Sequence, residues 1–348
     1  MGYGLDYQEG GEAQRECFYH FFFDGEREVS LRDKLFTAFK VLISLGLIAY
    51  LFTRIDLTEV KTALASANYL YLVLALALYF GAIALNVYKW GYLLRAQGLA
   101  VPFINLLNHT FVGLFFANLP LSQVMGDIAR GVDLARHTKG RGAEVAVSVL
   151  MDRLVGLASF LFASVVTLAF AVFSLGRADL TSLWVTVLLV LLAFAIALAV
   201  LLSRRLRGLV ERLFKWQPLR RFTALYQNLS DAVQTYRSNV EALAVAFFVA
   251  LLGVLITNVV NLLAAESVQA AIPLLWIFVF NPLTPIAQFI PSIGSGLGVN
   301  QGVFVLLYSV IGRVTGQPQA LAMSLVMQVV IYIASLPGGV LWWRTRKL

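Results

Sequence analysis

The stretch from Asn118 to Gly156 reads NLPLSQVMGDIARGVDLARHTKGRGAEVAVSVLMDRLVG, and it places charge where the rest of the chain avoids it. Asp127 and Arg130 stand i,i+3 just after an apolar segment that stops at Pro120. Asp152 and Arg153 fall roughly two turns inside an apolar run that begins at Val145. An ionisable residue at membrane depth is costly, and it marks a paired or functional site. The remainder of the chain reads as apolar scaffold around this stretch.

The composition agrees. Of 348 residues, 59% are hydrophobic and only 13% charged, where a soluble domain carries about 25% charged residues. Mean hydropathy is +0.79. These values predict an all-α polytopic membrane protein. Runs at Leu35–Thr53, Tyr69–Tyr88, Val145–Phe173, Leu183–Leu202, Val240–Leu263 and Leu321–Trp343 give about six full spans, each near the roughly 20 residues a crossing needs. Basic residues collect at particular span ends and set the orientation, with both termini cytoplasmic and the chain in the cytoplasmic (inner) membrane. The net charge of +8 therefore faces anionic lipid, and no nucleic-acid partner is expected. Cys17 is the only cysteine, and the three histidines are scattered, so neither a disulfide nor a metal site is expected.

Two segments do not fit the simple pattern. Residues 103–126 lie between Lys89 and Arg95 on one side and Arg136, Lys139 and Arg141 on the other. Both basic groups belong in the cytoplasm, and the segment is too short to cross twice. It reads as a re-entrant hairpin entered from the cytoplasm, which is tolerated only inside protein or beside a wet cavity. Residues 271–299 are broken by Pro273, Pro282, Pro285 and Pro291 and then by a glycine-rich run. They read as a second hairpin, entered from outside. Residues 1–30 are acidic and Gly-rich and read as a disordered tail, leaving 31–348 as the membrane domain. Residues 203–238 read as basic amphipathic helices on the cytoplasmic leaflet.

The two breaks correspond. Pro120, Ser122 and Gly126 end the first apolar segment; Pro291, Gly296 and Gly298 end the second. Interrupted segments in two inverted halves are a pointer to a transporter's midplane site. Helix starts after Gly126 and Gly298 would aim backbone N–H groups at a cavity and attract phosphate. Arg130 and Arg153 would add bidentate contacts to a lipid phosphate. Asp127 and Asp152 would hold those arginines when the site is empty, with Asn118 supporting. The alternative is two buried ion pairs that fix helix register, and the two readings are compatible. No HExxH, GxSxG or Walker lysine occurs, so neither catalysis nor a bound cofactor is expected.

Asn86–Leu94 with its Lys-Trp pair, NLP with GD and Arg at Asn118–Arg130, MDRLVGL from Met151, PSIGSGLG from Pro291 and the C-terminal SLPGG form a set. Together they resemble the lysylphosphatidylglycerol-synthase transmembrane-region family, also called flippase-like. The resemblance implies movement of a lipid between leaflets, as in the membrane half of the multiple peptide resistance factor, where the lipid is aminoacylated. No synthase domain is read in this sequence, so aminoacyl transfer is not expected. Met125 stands where the family usually has a glycine, and Asn300-Gln301 where many members have Arg-Glu. The expected function is binding or translocation of an anionic phospholipid or a polyprenyl-phosphate-linked lipid. The other reading is a non-transporting membrane partner of a glycosyltransferase or lipid-modifying enzyme.

Overall fold

The computed structural model describes residues 41–118 except 43, 48, 52 and 54, then 123–138, 140–202, 234–290 and 296–347. The expected tail 1–30, most of the basic belt at 203–238, and Pro120, Ser122 and Pro291 lie outside the described residues. Every regular element among those described is helical. They run α1 (Leu57–Ala65), α2 (Tyr69–Ala96), α3 (Phe103–Asn118), α4 (Gln123–His137), α5 (Gly142–Phe173), α6 (Thr181–Leu202), α7 (Val240–Ser267), α8 (Leu274–Phe280), α9 (Val299–Phe304) and α10 (Gln317–Lys347).

Among the described residues α2, α5, α6, α7 and α10 are long and apolar enough to cross a bilayer. They coincide with five of the expected spans. The chain is thus an all-α, multi-pass integral membrane protein. The expected first span, Leu35–Thr53, is only partly described. Its remaining residues from 41 to 53 are helical.

Exposure ranks the helices. In α10, 61% of the apolar stretch is buried; in α6, 6% is. So α10 is the central post and α6 stands at the periphery, as expected from a segment whose polar side chains are confined to its first turns. The large apolar side chains of α6, such as Leu189 and Ile196, point outward, where hydrocarbon replaces a protein core.

Local chemistry sets where the helices begin and end. Asn68 caps α2, its Oδ1 accepting from the Leu70 N–H at 3.0 Å. At the other end Gly98 takes φ +73°, and the Leu99 N–H donates to the Leu94 carbonyl at 3.0 Å. That left-handed turn closes the helix, and only glycine enters it without strain. Residues 281–289 form a 3-10 helix containing Pro285. Pro282 and Pro285 lack N–H donors, so regular α hydrogen bonding fails there.

Hydrogen bonds tie the helix ends into two sets. At one end, Arg141 before α5 donates through Nη1 to the Gly98 carbonyl at 3.0 Å and through Nη2 to Gln97. The end of α2 and the start of α5 therefore lie together, and α3 and α4 leave this end and return to it. At the opposite end, the Asn68 N–H donates to the Ser267 carbonyl at 2.9 Å. There too Thr315 Oγ1 donates to the Ala270 carbonyl at 2.9 Å. Residues 274–311 leave and return at this second end. With 16 and 15 residues, α3 and α4 are each about 22–24 Å long, short of the roughly 30 Å hydrocarbon core.

The first pair is packed backbone to backbone. A Cβ on Gly126 would lie 2.5 Å from the Gly113 carbonyl oxygen, and one on Gly113 would lie 2.7 Å from the Gly126 carbonyl oxygen. Against the other side of α3, a Cβ on Gly338 would overlap the Phe111 carbonyl oxygen. Gly339 meets the Phe115 ring. The glycines of SLPGG thus let the central helix seat α3.

Candidate functional site

The charges foreseen in the sequence meet. Asp152 lies ten residues into α5, about 15 Å along its axis. Its Oδ2 accepts from Arg130 Nη2 at 2.8 Å, joining α5 to α4. The same guanidinium reaches Asp127 Oδ1 at 3.1 Å. Asp127 in turn accepts from Arg153 Nη2 at 2.6 Å. The four residues form one chain of alternating sign that joins α4 to α5.

A fifth member was not foreseen. Lys89 Nζ lies 3.0 Å from Asp152 Oδ1. The sequence places Lys89 and Trp90 at a membrane interface, and the structure instead buries both. Trp90 donates through Nε1 to Ser148 Oγ at 3.1 Å, and Arg130 lies 4.7 Å over its ring, a cation–π contact. The signal was available: Ser148 and Asp152 stand one helical turn apart on α5, and the adjacent Lys89 and Trp90 of α2 are the side chains that meet them. With Lys89 the cluster holds three bases against two acids.

Burial divides the arginines. The Arg130 side chain is 5% exposed and the Arg153 side chain 51%. Arg130 is locked between Asp127, Asp152 and Trp90, while its Nε has no hydrogen-bond partner among the described residues. Arg153, though paired with Asp127, is half exposed, so an incoming group can reach it.

A cavity of about 310 Å³ opens beside the cluster. Arg130, Arg153, Asp127, Gly126 and Asn118 line one wall. Asn281, Thr284, Pro285 and Asn300 bring the second excursion to the opposite wall, and Asn261 of α7 and Gln328 of α10 complete it. Residues from both short helical segments, which start from opposite ends of the bundle, therefore share one polar space.

Other expected site residues fall elsewhere. The expected helix start after Gly126 is corrected: α4 begins at Gln123, so Gly126 lies within the helix, and its lack of a side chain serves the contact with Gly113. The start after Gly298 holds, with α9 beginning at Val299. Gly296 and Gly298 have φ of +92° and +83° and shape that start without lining the cavity. Gln301 also lies off the cavity, its Oε1 accepting from the Gly298 N–H at 2.7 Å. A second pair escaped the sequence reading: His109 Nδ1 lies 2.6 Å from Asp133 Oδ2 and ties α3 to α4.

Residues 37–339 match the family described as lysylphosphatidylglycerol synthase TM region. The chain belongs to that family. It is also 25% identical over 288 residues to a UPF0104 membrane protein of Methanothermobacter thermautotrophicus, covering 78% of this chain and 85% of the relative. No solved structure matches. The family region takes in both short helical pairs, four of the five long apolar helices and most of α10. Within it, Asn300 brings no charge to the cavity, and among the described lining residues the ionic groups are Asp127, Arg130 and Arg153.

Proposed function

We propose that this protein binds a phosphate-bearing membrane lipid in the central cavity and passes it between leaflets. The observation that carries the reading is the half-exposed Arg153 beside the buried Arg130, both lining a polar cavity inside an apolar bundle. The lining holds two guanidiniums and one carboxylate, a net positive site. Guanidinium forks suit phosphate oxygens, and a dry surround strengthens that attraction. The two short helical pairs act as re-entrant hairpins entered from opposite faces, so the cavity can communicate with each leaflet in turn. In this reading both termini face the cytoplasm, and the surrounding bilayer is the cytoplasmic membrane. The lipid is an anionic phospholipid or a polyprenyl-phosphate-linked lipid.

The test is leaflet exchange in sealed vesicles holding the purified chain and a fluorescent phosphatidylglycerol or polyprenyl phosphate. Wild type should expose inner-leaflet probe to an external quencher faster than empty vesicles do. Arg153→Gln should bring the rate down at least about tenfold, the loss of one charge-assisted contact, while leaving the fold intact, since that side chain is half exposed. Equal rates for wild type, Arg153→Gln and empty vesicles would overturn the reading.

One observation favours a second reading. The outward apolar side chains along α6 would also suit a membrane partner such as a glycosyltransferase or lipid-modifying enzyme. In that case co-purification with the partner, and not exchange, would depend on α6.

A further inference from the structure

The neutral polar lining of the cavity asks for a particular headgroup. Asn118 Oδ1, Asn261 Oδ1 and Thr110 Oγ1 are buried and have no hydrogen-bond partner among the described residues. All three residues line the same space, as do the neutral side chains of Asn281, Asn300 and Gln328. Orphaned polar atoms are rare in a folded interior, and each demands a partner. The direction of the demand is fixed at Asn261. Its Nδ2 donates to the Thr257 carbonyl at 2.9 Å, so the free atom is an acceptor and needs a donor. A bare phosphate diester offers acceptors only. It can satisfy Arg130 Nε, but it leaves the Asn261 oxygen orphaned.

Two headgroup chemistries supply donors, ammonium and hydroxyl. An ammonium carries positive charge into a cavity already net positive. The one carboxylate among its described lining residues, Asp127, is engaged by both Arg130 and Arg153. Burying an unpaired cation there is strongly unfavourable. A hydroxyl donates and accepts without charge, and it serves amide oxygens, amide nitrogens and threonine alike. The space, about 310 Å³, sits at the small end of ordinary ligand pockets, roughly 300–1,000 Å³. It suits one polar headgroup, with the acyl or prenyl chains outside in lipid.

We infer that the cavity takes an uncharged, hydroxyl-rich headgroup, a sugar or polyol, whose linking phosphate lies at Arg130 and Arg153. This rests on the phosphate-lipid reading above and selects among its lipids, turning away aminoacylated ones. Asn261 and Gln328 read the hydroxyls; Arg153 reads the phosphate.

The experiment compares four lipids on the full purified chain in nanodiscs, by competition for bound probe. They are polyprenyl methyl phosphate as the bare diester, polyprenyl-phosphate hexose, lysyl-phosphatidylglycerol and diacylglycerol. The hexose form should bind at least about tenfold tighter than the bare phosphate, the effect of two neutral hydrogen bonds. Lysyl-phosphatidylglycerol should bind no tighter than diacylglycerol. Asn261→Leu with Gln328→Leu should erase the hexose gain and leave the affinity for bare phosphate unchanged. The wild-type comparison decides the matter even if that variant does not fold. Equal affinity for bare and hexosyl phosphate, both above diacylglycerol, would overturn the headgroup assignment and leave the phosphate reading standing. A lysyl lipid binding as tightly as the hexosyl lipid would also overturn it. If no phosphate lipid exceeds diacylglycerol, both readings fall together.

Discussion

Replacing Asp152 by asparagine tests the charge cluster most directly. The carboxylate is 3% exposed and holds Lys89 at 3.0 Å and Arg130 at 2.8 Å. Asparagine keeps the shape and removes the charge. Arg130 retains Asp127 at 3.1 Å, but Lys89 is left buried with no acid beside it among the described residues. Breaking a buried pair on one side costs about 3–5 kcal/mol, because the surviving charge is uncompensated. At roughly 2 °C per kcal/mol for a long chain, the melting temperature in detergent should fall by about 6–10 °C. Adding Lys89→Met removes the stranded ammonium and keeps the packed stem, so the double variant should recover at least half of the loss. The assay is thermal unfolding followed by tryptophan fluorescence, with Trp90 seated against the cluster. If Asp152→Asn costs less than about 2 °C, or if Lys89→Met makes it worse, then Asp152 is not the buried counter-ion of Lys89.

Gly126→Ala should lower the melting temperature by several degrees, because its Cβ meets the Gly113 carbonyl and overpacking costs about 1–3 kcal/mol. Gly302→Ala, with nothing within 4 Å, should be neutral in the same scan. Arg130→Lys keeps the charge but loses the planar contacts to Asp152 and Trp90, and it should weaken phosphatidylglycerol binding about tenfold in a pull-down from mixed vesicles. In a cysteine-free background, cysteines at Arg95 and Arg136 should be labelled by an impermeant reagent from one face of sealed vesicles, and one at Asp179 from the other. Labelling all three from one face would break the assignment of helix ends.

The sequence carried the scaffold and half of the site. Spans were legible because length and hydropathy alone decide whether a helix suits a bilayer. The cluster of Asp127, Arg130, Asp152 and Arg153 was legible because charge inside an apolar run has few places to go. Lys89 was not. A lysine with a tryptophan at the end of a span has the composition of an interfacial anchor, and its long stem can reach either water or a buried acid. Only the crossing of α2 and α5 decides which. The amide wall was hidden for a related reason. Asn261, Asn281, Asn300 and Gln328 come from separate segments, and each alone looks like an ordinary polar residue in an apolar helix. The start of α4 was misplaced because a glycine that permits close backbone approach reads the same in sequence as one that ends a turn.

The seat of α3 against Gly338 and Gly339 has a consequence for how the chain is made. Phe111 and Phe115 are synthesised early, and the glycines they rest on come close to the C-terminal end of the sequence. Loop closure over such a separation is slow and comes late. The first helical pair, with its buried charges, must therefore wait at the membrane until the final helix arrives. During that interval Asp152, Lys89 and Arg130, with Asp127 and Arg153, pair among themselves. The ion cluster is in this sense an assembly intermediate's own glue, holding α2, α4 and α5 together before the central post is in place. A chain stopped short of Gly338 should keep those three helices associated, leave α3 open to protease, and be cleared by quality control.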